Sequence, residues 1–239
     1  MHLIIDKGNT CWKVAVFDYD TMVSYQRFDA LNRTDILSVF AQFPVEKGIL
    51  SSVSDLPEII IEMLKEKIPL LELSHSLKLP ITIDYKTPNT LGKDRIAGAV
   101  GAHSLFPKEN ILVIDAGTCI TYDVIEANGT FIGGSISPGL HMRFKALNNF
   151  THKLPLVPYR EFNELTGKTT EESILSGVIS GIAFEMHGFI NGYLEKYSSL
   201  KIILTGGDAV YFEKTLKNDI FVNSNIVLIG LKEILNYNA

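Results

Sequence analysis

The chain opens with Met1-His-Leu-Ile-Ile-Asp-Lys-Gly-Asn-Thr10, and Ile111-Leu-Val-Ile-Asp-Ala-Gly-Thr118 repeats this pattern in its second half. In both stretches a short apolar run ends at an aspartate that is followed by one residue and a glycine. Each copy continues into two more predicted strands, at residues 11–17 and 22–28 in the first and at 119–125 and 130–136 in the second. We therefore predict an internal duplication.

The polar run Pro107-Lys-Glu-Asn110 separates the two copies. Turn-forming residues between two apolar, periodic segments are typical of a domain boundary. We therefore predict an N-terminal domain over residues 1–106 and a C-terminal domain over residues 107–239. Helical and strand periodicities alternate in both, which indicates the α/β class. Predicted helices cover residues 33–43, 56–67 (with Asp55 as N-cap), 94–105 and 170–197, and further strands cover 48–53 and 201–204.

The composition indicates a folded chain that acts on small molecules. Of 239 residues, 46% are hydrophobic and 21% are charged, with a net charge of −5, which excludes the disordered class. No run of lysine and arginine points to nucleic acid or an anionic membrane. No apolar run reaches the roughly 18 residues of a membrane span, and the start lacks the apolar stretch of a signal peptide. Cys11 and Cys119 show no zinc spacing. We expect reduced thiols and a cytoplasmic location.

A strand that delivers Asp-x-Gly into a tight hairpin can expose backbone N–H groups to phosphate oxygens, and the acid can hold a cation. A single such turn is more often a plain hairpin. Two copies, joined by a third strand-to-glycine turn at Thr205-Gly-Gly-Asp208, favour a nucleoside triphosphate site. No P-loop and no G-x-G-x-x-G after a strand is present to suggest another nucleotide fold.

A set of motifs in this order resembles the type III pantothenate kinase family. The motifs are Asp6-Lys-Gly-Asn-Thr-Cys-Trp-Lys13, Leu91-Gly-Lys-Asp-Arg95, Asp115-Ala-Gly-Thr118 with Thr121 and Asp123, Gly133-Gly-Ser-Ile-Ser-Pro-Gly139, Gly167-Lys-Thr-Thr170 and Thr205-Gly-Gly207. The resemblance covers residues 3 to about 210. It implies two duplicated ribonuclease-H-like domains of the acetate and sugar kinase, heat-shock ATPase and actin superfamily, with a nucleotide cleft between them.

The resemblance implies an ATP site and two cations. The ATP-binding residues would be Asp6, Lys7, Gly8, Asn9, Thr10, Cys11, Trp12, Lys13 and Thr118. Asp6 would lie near the Mg²⁺ of ATP, and Asp115 would hold a monovalent cation, K⁺ or NH₄⁺. On sequence alone, Lys13 can equally be a solvated strand residue, and Asp115 can be a turn-capping aspartate. Gly133–Gly139 is expected to shape the cleft wall and to end before a helix.

The resemblance also implies a pantothenate site, with Asp94 as the catalytic residue that accepts the proton of the primary hydroxyl. The substrate-binding residues would be Tyr85, Gly92, Lys93, Asp94, Arg95 and Thr170. Arg95 would hold the substrate carboxylate. Simpler alternatives remain for three of them: Asp94 as a helix N-cap, Arg95 in a surface ion pair and Tyr85 in ordinary strand packing.

The expected activity is ATP-dependent phosphorylation of pantothenate to 4′-phosphopantothenate, the first step of coenzyme A biosynthesis. The family forms homodimers, and helix 170–197, with Ser173, Gly177 and Gly181 spaced by four, is the expected interface. Two alternatives stay open: a kinase or phosphatase of the same fold with another substrate, and a non-catalytic regulator. Retention of the acidic and basic motif residues argues against the regulator.

Overall fold

The computed structural model describes residues 1–54, 57–216 and 219–238. The chain forms two compact units. The first comprises Met1–Lys108, Asn128–Ile132 and Asn225–Ala239, and the second comprises Glu109–Ala127 and Gly133–Ser224. The first change of unit, between Lys108 and Glu109, falls inside the polar run that the sequence offered as a boundary.

The first unit is built on a mixed sheet with the strand order β3-β2-β1-β4-β5. Its strands are β1 His2–Lys7, β2 Trp12–Asp18, β3 Thr21–Phe28, β4 Lys47–Ser52 and β5 Leu70–Glu72. The first three strands pair antiparallel in sequence, whereas β4 pairs parallel to β1, and β5 parallel to β4. Both β1 and β4 bury a run of residues whose last member is polar, Asp6 in β1 and Ser51 in β4.

Helices cover the sheet of the first unit. They are α1 Arg33–Gln42, α2 Glu58–Lys67, α3 Lys93–Leu105 and α7 Ile226–Tyr237, with a 3₁₀ turn at Pro88–Thr90. Ile36 of α1 and Leu64 of α2 pack with Ile5 and Trp12 of the sheet in one buried cluster. This burial of apolar area is the main stabilising term for the unit. The prediction of Asp55 as the N-cap of α2 lies outside the described residues.

Two glycines explain why the C-terminal helix belongs to the first unit. A β-carbon at Gly101 of α3 would collide with the carbonyl of Ile226, and one at Gly230 of α7 would collide with the carbonyl of Ala97. The two helix backbones are therefore in direct contact, which only glycine permits. The sequence analysis placed all of residues 107–239 in the second domain, whereas this contact places residues 225–238 with the first unit.

The second unit is built on a sheet that includes strands in the order β11-β10-β7-β8-β9. Its elements are β7 Ile111–Ala116, β8 Cys119–Ile125, β9 Thr130–Pro138, α4 Leu140–Asn149, α5 Thr170–Lys196, β10 Lys201–Thr205, α6 Ala209–Phe212 and β11 Ile220–Val222. β8 pairs antiparallel to β7, and β10 pairs parallel to β7. The first residues of β9 belong to the first unit, where Thr130 and Phe131 pair with β6 Thr82–Ile83.

The predicted duplication is confirmed by this topology. The order β9-β8-β7-β10-β11 repeats the order β3-β2-β1-β4-β5, and in both sheets the fourth strand along the chain returns parallel to the first. The predicted strands and the helices at 33–43, 94–105 and 170–197 agree with the structure to within a residue or two. The stretch Gly133–Pro138, expected as a cleft-wall loop, is instead the second half of β9, and α4 begins directly after Gly139.

Helix α5 corrects the expectation that no segment has the length of a membrane span. Within the described part of the chain, it is long and apolar enough to cross a membrane, with 27 residues and a mean hydropathy of 1.4 in its most apolar window. Of that window, 44% is buried inside the protein. Core helices meet the same criteria, and Leu175, Ile182 and Met186 are buried in this way.

Candidate active site

The hairpin between β1 and β2 is the first turn, Gly8–Cys11. The Gly8 N–H donates to the carbonyl of Cys11 at 3.1 Å and closes it. Cys11 and Trp12 are buried, whereas Asn9 and Thr10 are exposed. The Lys7 ammonium lies 5.2 Å from the centre of the Trp12 ring, a cation–π contact that places a positive charge beside the turn. The turn therefore presents polar groups on an apolar support.

Asp6 is a buried acid at the end of β1. It is 5% exposed and is the register partner of Lys13 on β2. The pKa of Asp6 is raised to about 6, chiefly by burial; the Lys13 charge lowers it and the Asp94 charge raises it. Among the described residues, Asp6 Oδ1 makes no hydrogen bond. A buried carboxylate oxygen without a partner is costly and marks a place where a cation fits.

Asp94 lies in the first turn of α3. The N-cap of that helix is Gly92, so Asp94 is not the capping residue, and the alternative interpretation of Asp94 is wrong. Asp94 Oδ1 accepts a hydrogen bond from the Arg95 backbone N–H at 2.9 Å. A β-carbon at Gly92 would crowd the same oxygen, so glycine is needed for the carboxylate to adopt this position. Since the charge of Asp94 contributes to the pKa of Asp6, the two acids act in one electrostatic site.

Arg95 is 8% exposed, which excludes the surface ion pair considered above. Its guanidinium carbon lies 5.9 Å from the centre of the Tyr85 ring and 5.7 Å from that of Phe131. Two aromatic rings at this distance hold a cation and limit its orientations. Tyr85 follows β6 (Thr82–Ile83) and lies outside the strand, so it is not the packed strand residue considered above, and it contributes to the placement of Arg95. Gly92 and Lys93, which precede Asp94 and Arg95 in the sequence, are half-buried.

The second turn, Gly117–Thr118, joins β7 and β8. Asp115 is half-buried and Thr118 is exposed. The Gly117 N–H donates to the Cys119 carbonyl at 2.9 Å, and the Gly139 N–H donates to the Thr118 carbonyl at 3.1 Å. A β-carbon at Gly139 would collide with the carbonyls of Gly117 and Thr118. The start of α4 therefore supports this turn by direct backbone contact.

A third glycine supports the second turn from β10. Gly206 has a φ of +95°, and a β-carbon there would collide with the Ala116 carbonyl and with Asp115 Oδ1. Only glycine combines this positive φ with such a close approach. The neighbouring Gly207 has open space around a β-carbon. The Thr205-Gly-Gly207 motif thus acts on Asp115 through its first glycine.

A polar network on α5 holds the segment that leads into α4. Glu185 accepts hydrogen bonds from Tyr122 Oη at 2.8 Å, Ser137 Oγ at 2.5 Å and Arg143 Nη2 at 2.6 Å. Arg143 Nε also donates to the Pro138 carbonyl at 2.8 Å. Burial raises the pKa of Glu185, but these hydrogen bonds outweigh it and lower the pKa below its ordinary value. The network holds Ser137 and Pro138, directly before Gly139, and Gly139 in turn donates to the Thr118 carbonyl of the second turn.

Thr170 is the first residue of α5 and is exposed. It lines a cavity of about 960 Å³ in the second unit. Lys168 and Ile174 also line this cavity, which therefore joins a positive charge with an apolar wall, while Arg143 in the same lining is paired with Glu185. A cavity of this size and character suits a small anionic molecule.

Comparison with known proteins decides the family. The type III pantothenate kinase family matches residues 2–192. A type III pantothenate kinase from Phocaeicola vulgatus is 45% identical over 240 residues, covering 100% of this chain and 99% of that protein. The chain belongs to the type III pantothenate kinase family.

Solved structures show the fold of this family member at lower identity. A protein described as a Baf family transcriptional activator from Campylobacter jejuni matches with a TM-score of 0.61 at 24% identity, covering 99% of this chain and 98% of that one. A protein described as a 2-dehydro-3-deoxygalactonokinase from Sinorhizobium meliloti matches with a TM-score of 0.61 at 13% identity, covering 99% of each chain. The predicted α/β fold with two duplicated domains is confirmed.

The structure brings the predicted type III pantothenate kinase residues together within each unit. In the first unit, electrostatic and ring contacts connect the acids with the basic and aromatic residues: Asp6, Lys13, Tyr85, Asp94 and Arg95. In the second unit, Asp115 and Thr118 share one turn, and Thr170 lines the cavity. No group of three or more His, Cys, Asp or Glu suited to a metal occurs in the described ranges.

Sequence reasoning missed three residues. Phe131 is fully buried, and it also contacts Arg95. Glu185 had no local sequence signal, because its hydrogen-bond partners come from distant segments of the chain. Ser51 did have a sequence signal. It follows the apolar pair Ile49-Leu50, just as Asp6 follows Ile4-Ile5, so each polar residue ends a buried strand.

Proposed function

We propose that this member of the type III pantothenate kinase family phosphorylates pantothenate with ATP, giving 4′-phosphopantothenate and ADP in the first step of coenzyme A biosynthesis. The observation that carries the proposal is the coupling of Asp94 with Asp6 beside Lys13, in the unit that also buries Arg95. The transfer of a phosphoryl group to an alcohol requires one acid to orient the alcohol and another to hold the metal. It also requires positioned basic side chains to bind the anionic substrates.

Asp94 serves as the catalytic residue in this proposal. The primary hydroxyl oxygen of pantothenate forms a bond to the γ-phosphorus as the bond from that phosphorus to the β-bridging oxygen breaks, and ADP leaves. Asp94 orients the hydroxyl and accepts its proton late in the transfer, when the oxygen has become acidic. Its place in the first turn of α3, with one oxygen held by the Arg95 N–H, supports this orientation.

The first turn and Thr118 are proposed to bind ATP. Exposed Asn9 and Thr10 would contact phosphate oxygens, and Lys13 would supply positive charge. The unpartnered Asp6 Oδ1 fits a role in holding Mg²⁺, which when bound neutralises triphosphate charge. Lys7 and Trp12 would support the turn through their cation–π contact, with Gly8 and Cys11 closing it.

Asp115 is proposed to hold a monovalent cation, K⁺ or NH₄⁺. Its half-buried carboxylate lies against Gly206, where an added β-carbon would crowd Asp115 Oδ1. Gly206 therefore leaves room for an ion and its other oxygen ligands. Potassium dependence is the property that this assignment predicts.

Arg95 is proposed to bind the carboxylate of pantothenate, with Tyr85, Gly92 and Lys93 around the substrate. A guanidinium placed by two rings matches a carboxylate with two parallel hydrogen bonds. Thr170 is proposed as a further substrate contact, supported by its position on a cavity with Arg143 and Lys168.

The protein is proposed to be a cytoplasmic homodimer that binds neither nucleic acid nor membrane. Helix α5 supports the dimer: β-carbons at Gly177 and Gly181 would meet no atom within 4 Å, and Phe184 is 61% exposed. This face is therefore not used for packing within its own unit, and small residues allow another helix to approach closely.

The test measures ADP release by the full chain with ATP and Mg²⁺, with and without pantothenate, in potassium and then in sodium buffer. We expect turnover that requires pantothenate and is faster in potassium. Turnover with another alcohol but not with pantothenate would indicate a different kinase of the same fold. The absence of turnover in both buffers would favour the non-catalytic alternative.

A further inference from the structure

Ser51 is a fully buried polar residue at the end of β4, with 0% of its surface exposed. In the described part of the chain its hydroxyl oxygen makes no hydrogen bond. An unpaired buried hydroxyl destabilises the folded state, so a position that is only structural would favour alanine. A serine at this position needs a hydrogen-bond partner from a neighbouring segment.

The register of the sheet identifies that partner. β4 pairs parallel to β1, and Ser51 is the register partner of Asp6. Register partners on adjacent strands point to the same face of a sheet, so the hydroxyl and the carboxylate are neighbours. Two buried polar atoms, Ser51 Oγ and Asp6 Oδ1, therefore lie side by side without hydrogen bonds.

The Ser51 hydroxyl is close enough to act on Asp6 as a hydrogen-bond donor, although the two side chains do not adopt full hydrogen-bond geometry. Burial is the main influence on the pKa of Asp6 and raises it, while the Ser51 hydroxyl is among the groups that lower it. A serine hydroxyl changes its direction by rotation about one side-chain bond, so a small movement completes the contact.

We propose that Ser51 is a positioning residue for Asp6: its hydroxyl donates a hydrogen bond to the buried carboxylate oxygen when Mg²⁺ and ATP bind, and holds Asp6 in the orientation that the ion needs. This inference rests on the proposed function, because it concerns the Asp6 site for Mg²⁺–ATP. Ser51 touches neither phosphate nor pantothenate in this proposal. It acts through the orientation of Asp6, because a hydrogen bond donated to a carboxylate that ligates a metal fixes the direction of that carboxylate.

The experiment compares wild type, Ser51→Ala and Ser52→Ala by calorimetric titration with a non-hydrolysable ATP analogue, once with Mg²⁺ and once with EDTA. Ser52 is the matched control, because it is the next residue of β4 and its hydroxyl donates instead to the Ser54 carbonyl. We expect S51A to weaken binding about 10-fold with Mg²⁺ and less than about 2-fold with EDTA, the size of a lost hydrogen bond to a charged group. S52A should match wild type in both.

Thermal unfolding of the free proteins separates positioning from a structural role. Since S51A removes an unpaired buried hydroxyl, its melting temperature without ligand should equal or exceed that of wild type. A lower melting temperature with unchanged Mg²⁺ dependence, or equal weakening with Mg²⁺ and with EDTA, would overturn the inference. Wild-type protein that binds the analogue no better with Mg²⁺ than with EDTA would overturn the proposed function as well.

Discussion

The two strand-to-glycine turns share a sequence pattern but differ in what surrounds their aspartates. Asp6 at the first turn is buried among charged side chains, and one of its oxygens has no hydrogen-bond partner in the described chain. Asp115 at the second turn is half-buried, and backbone from two other segments packs against its turn at Gly139 and Gly206. The two copies of the motif are thus used in two ways, electrostatic at the first turn and steric at the second.

Substitution of Asp94 tests whether the chemistry belongs to the electrostatic site that Asp94 shares with Asp6. Asp94→Asn should lower kcat by about 10²- to 10⁴-fold, because it removes the group that accepts the proton. The free energy of unfolding should change little, since the Asn side chain can still accept a hydrogen bond from the Arg95 N–H. Steady-state kinetics and urea unfolding measure the two quantities.

Two further variants serve as comparisons for Asp94→Asn. Asp29→Asn changes an exposed aspartate of the same unit and should leave kcat unchanged. Thr118→Ala, at the second turn, should raise KM for ATP more than it lowers kcat. Near-normal turnover by the Asp94 variant would place the reaction's proton acceptor elsewhere and remove the proposed division of roles.

The steric character of the second turn predicts a large cost for Gly206→Ala. Alanine would have to adopt a φ of +95° and would place its β-carbon against the Ala116 carbonyl and Asp115. Strain and overpacking each cost about 1–3 kcal/mol, so we expect a loss of about 3–4 kcal/mol in the free energy of unfolding. Gly207→Ala, with open space at the adjacent position, should cost less than about 1 kcal/mol in urea unfolding. Equal effects of the two substitutions would contradict the steric account.

The electrostatic character of the first turn predicts a pH-dependent effect of Asp6→Asn. The folded pKa of Asp6 is about 6, raised from an ordinary value of 3.8. The folded protein therefore holds this proton more tightly than the unfolded chain, and stability is lost as the pH rises from about 4 to 6. Above pH 6 the ionisation of Asp6 lowers the free energy of unfolding by about 3 kcal/mol, because each pKa unit of the shift corresponds to about 1.36 kcal/mol.

Without nucleotide, Asp6→Asn should consequently be more stable than wild type at pH 8, by up to about 3 kcal/mol, and this advantage should shrink as the pH falls toward 4. Urea unfolding from pH 4 to pH 8 measures the difference. The same variant should lose Mg²⁺-dependent nucleotide binding. A stability difference that is constant across this range would show that the charge of Asp6 is not the cause.

Much of this site was predictable from the sequence because its residues are consecutive. The apolar runs before Asp6 and Asp115 require buried strands, and the glycine two residues later requires a hairpin, so local rules were sufficient. The helix that carries Asp94 and Arg95 was predicted for the same reason. The burial of Arg95 was not, because the rings that hold it come from residues 85 and 131.

The sequence by itself determined the duplication, the two aspartate turns and the family, since these depend on the order and spacing of neighbouring residues. Only the tertiary structure decided that residues 225–238 return to the first unit, that Glu185 supports the segment before α4, and that Ser51 lies beside Asp6. The physical reason is that these relations depend on close backbone approach, long-range hydrogen bonds and strand register. Each joins segments that are far apart in the chain and leaves no local pattern.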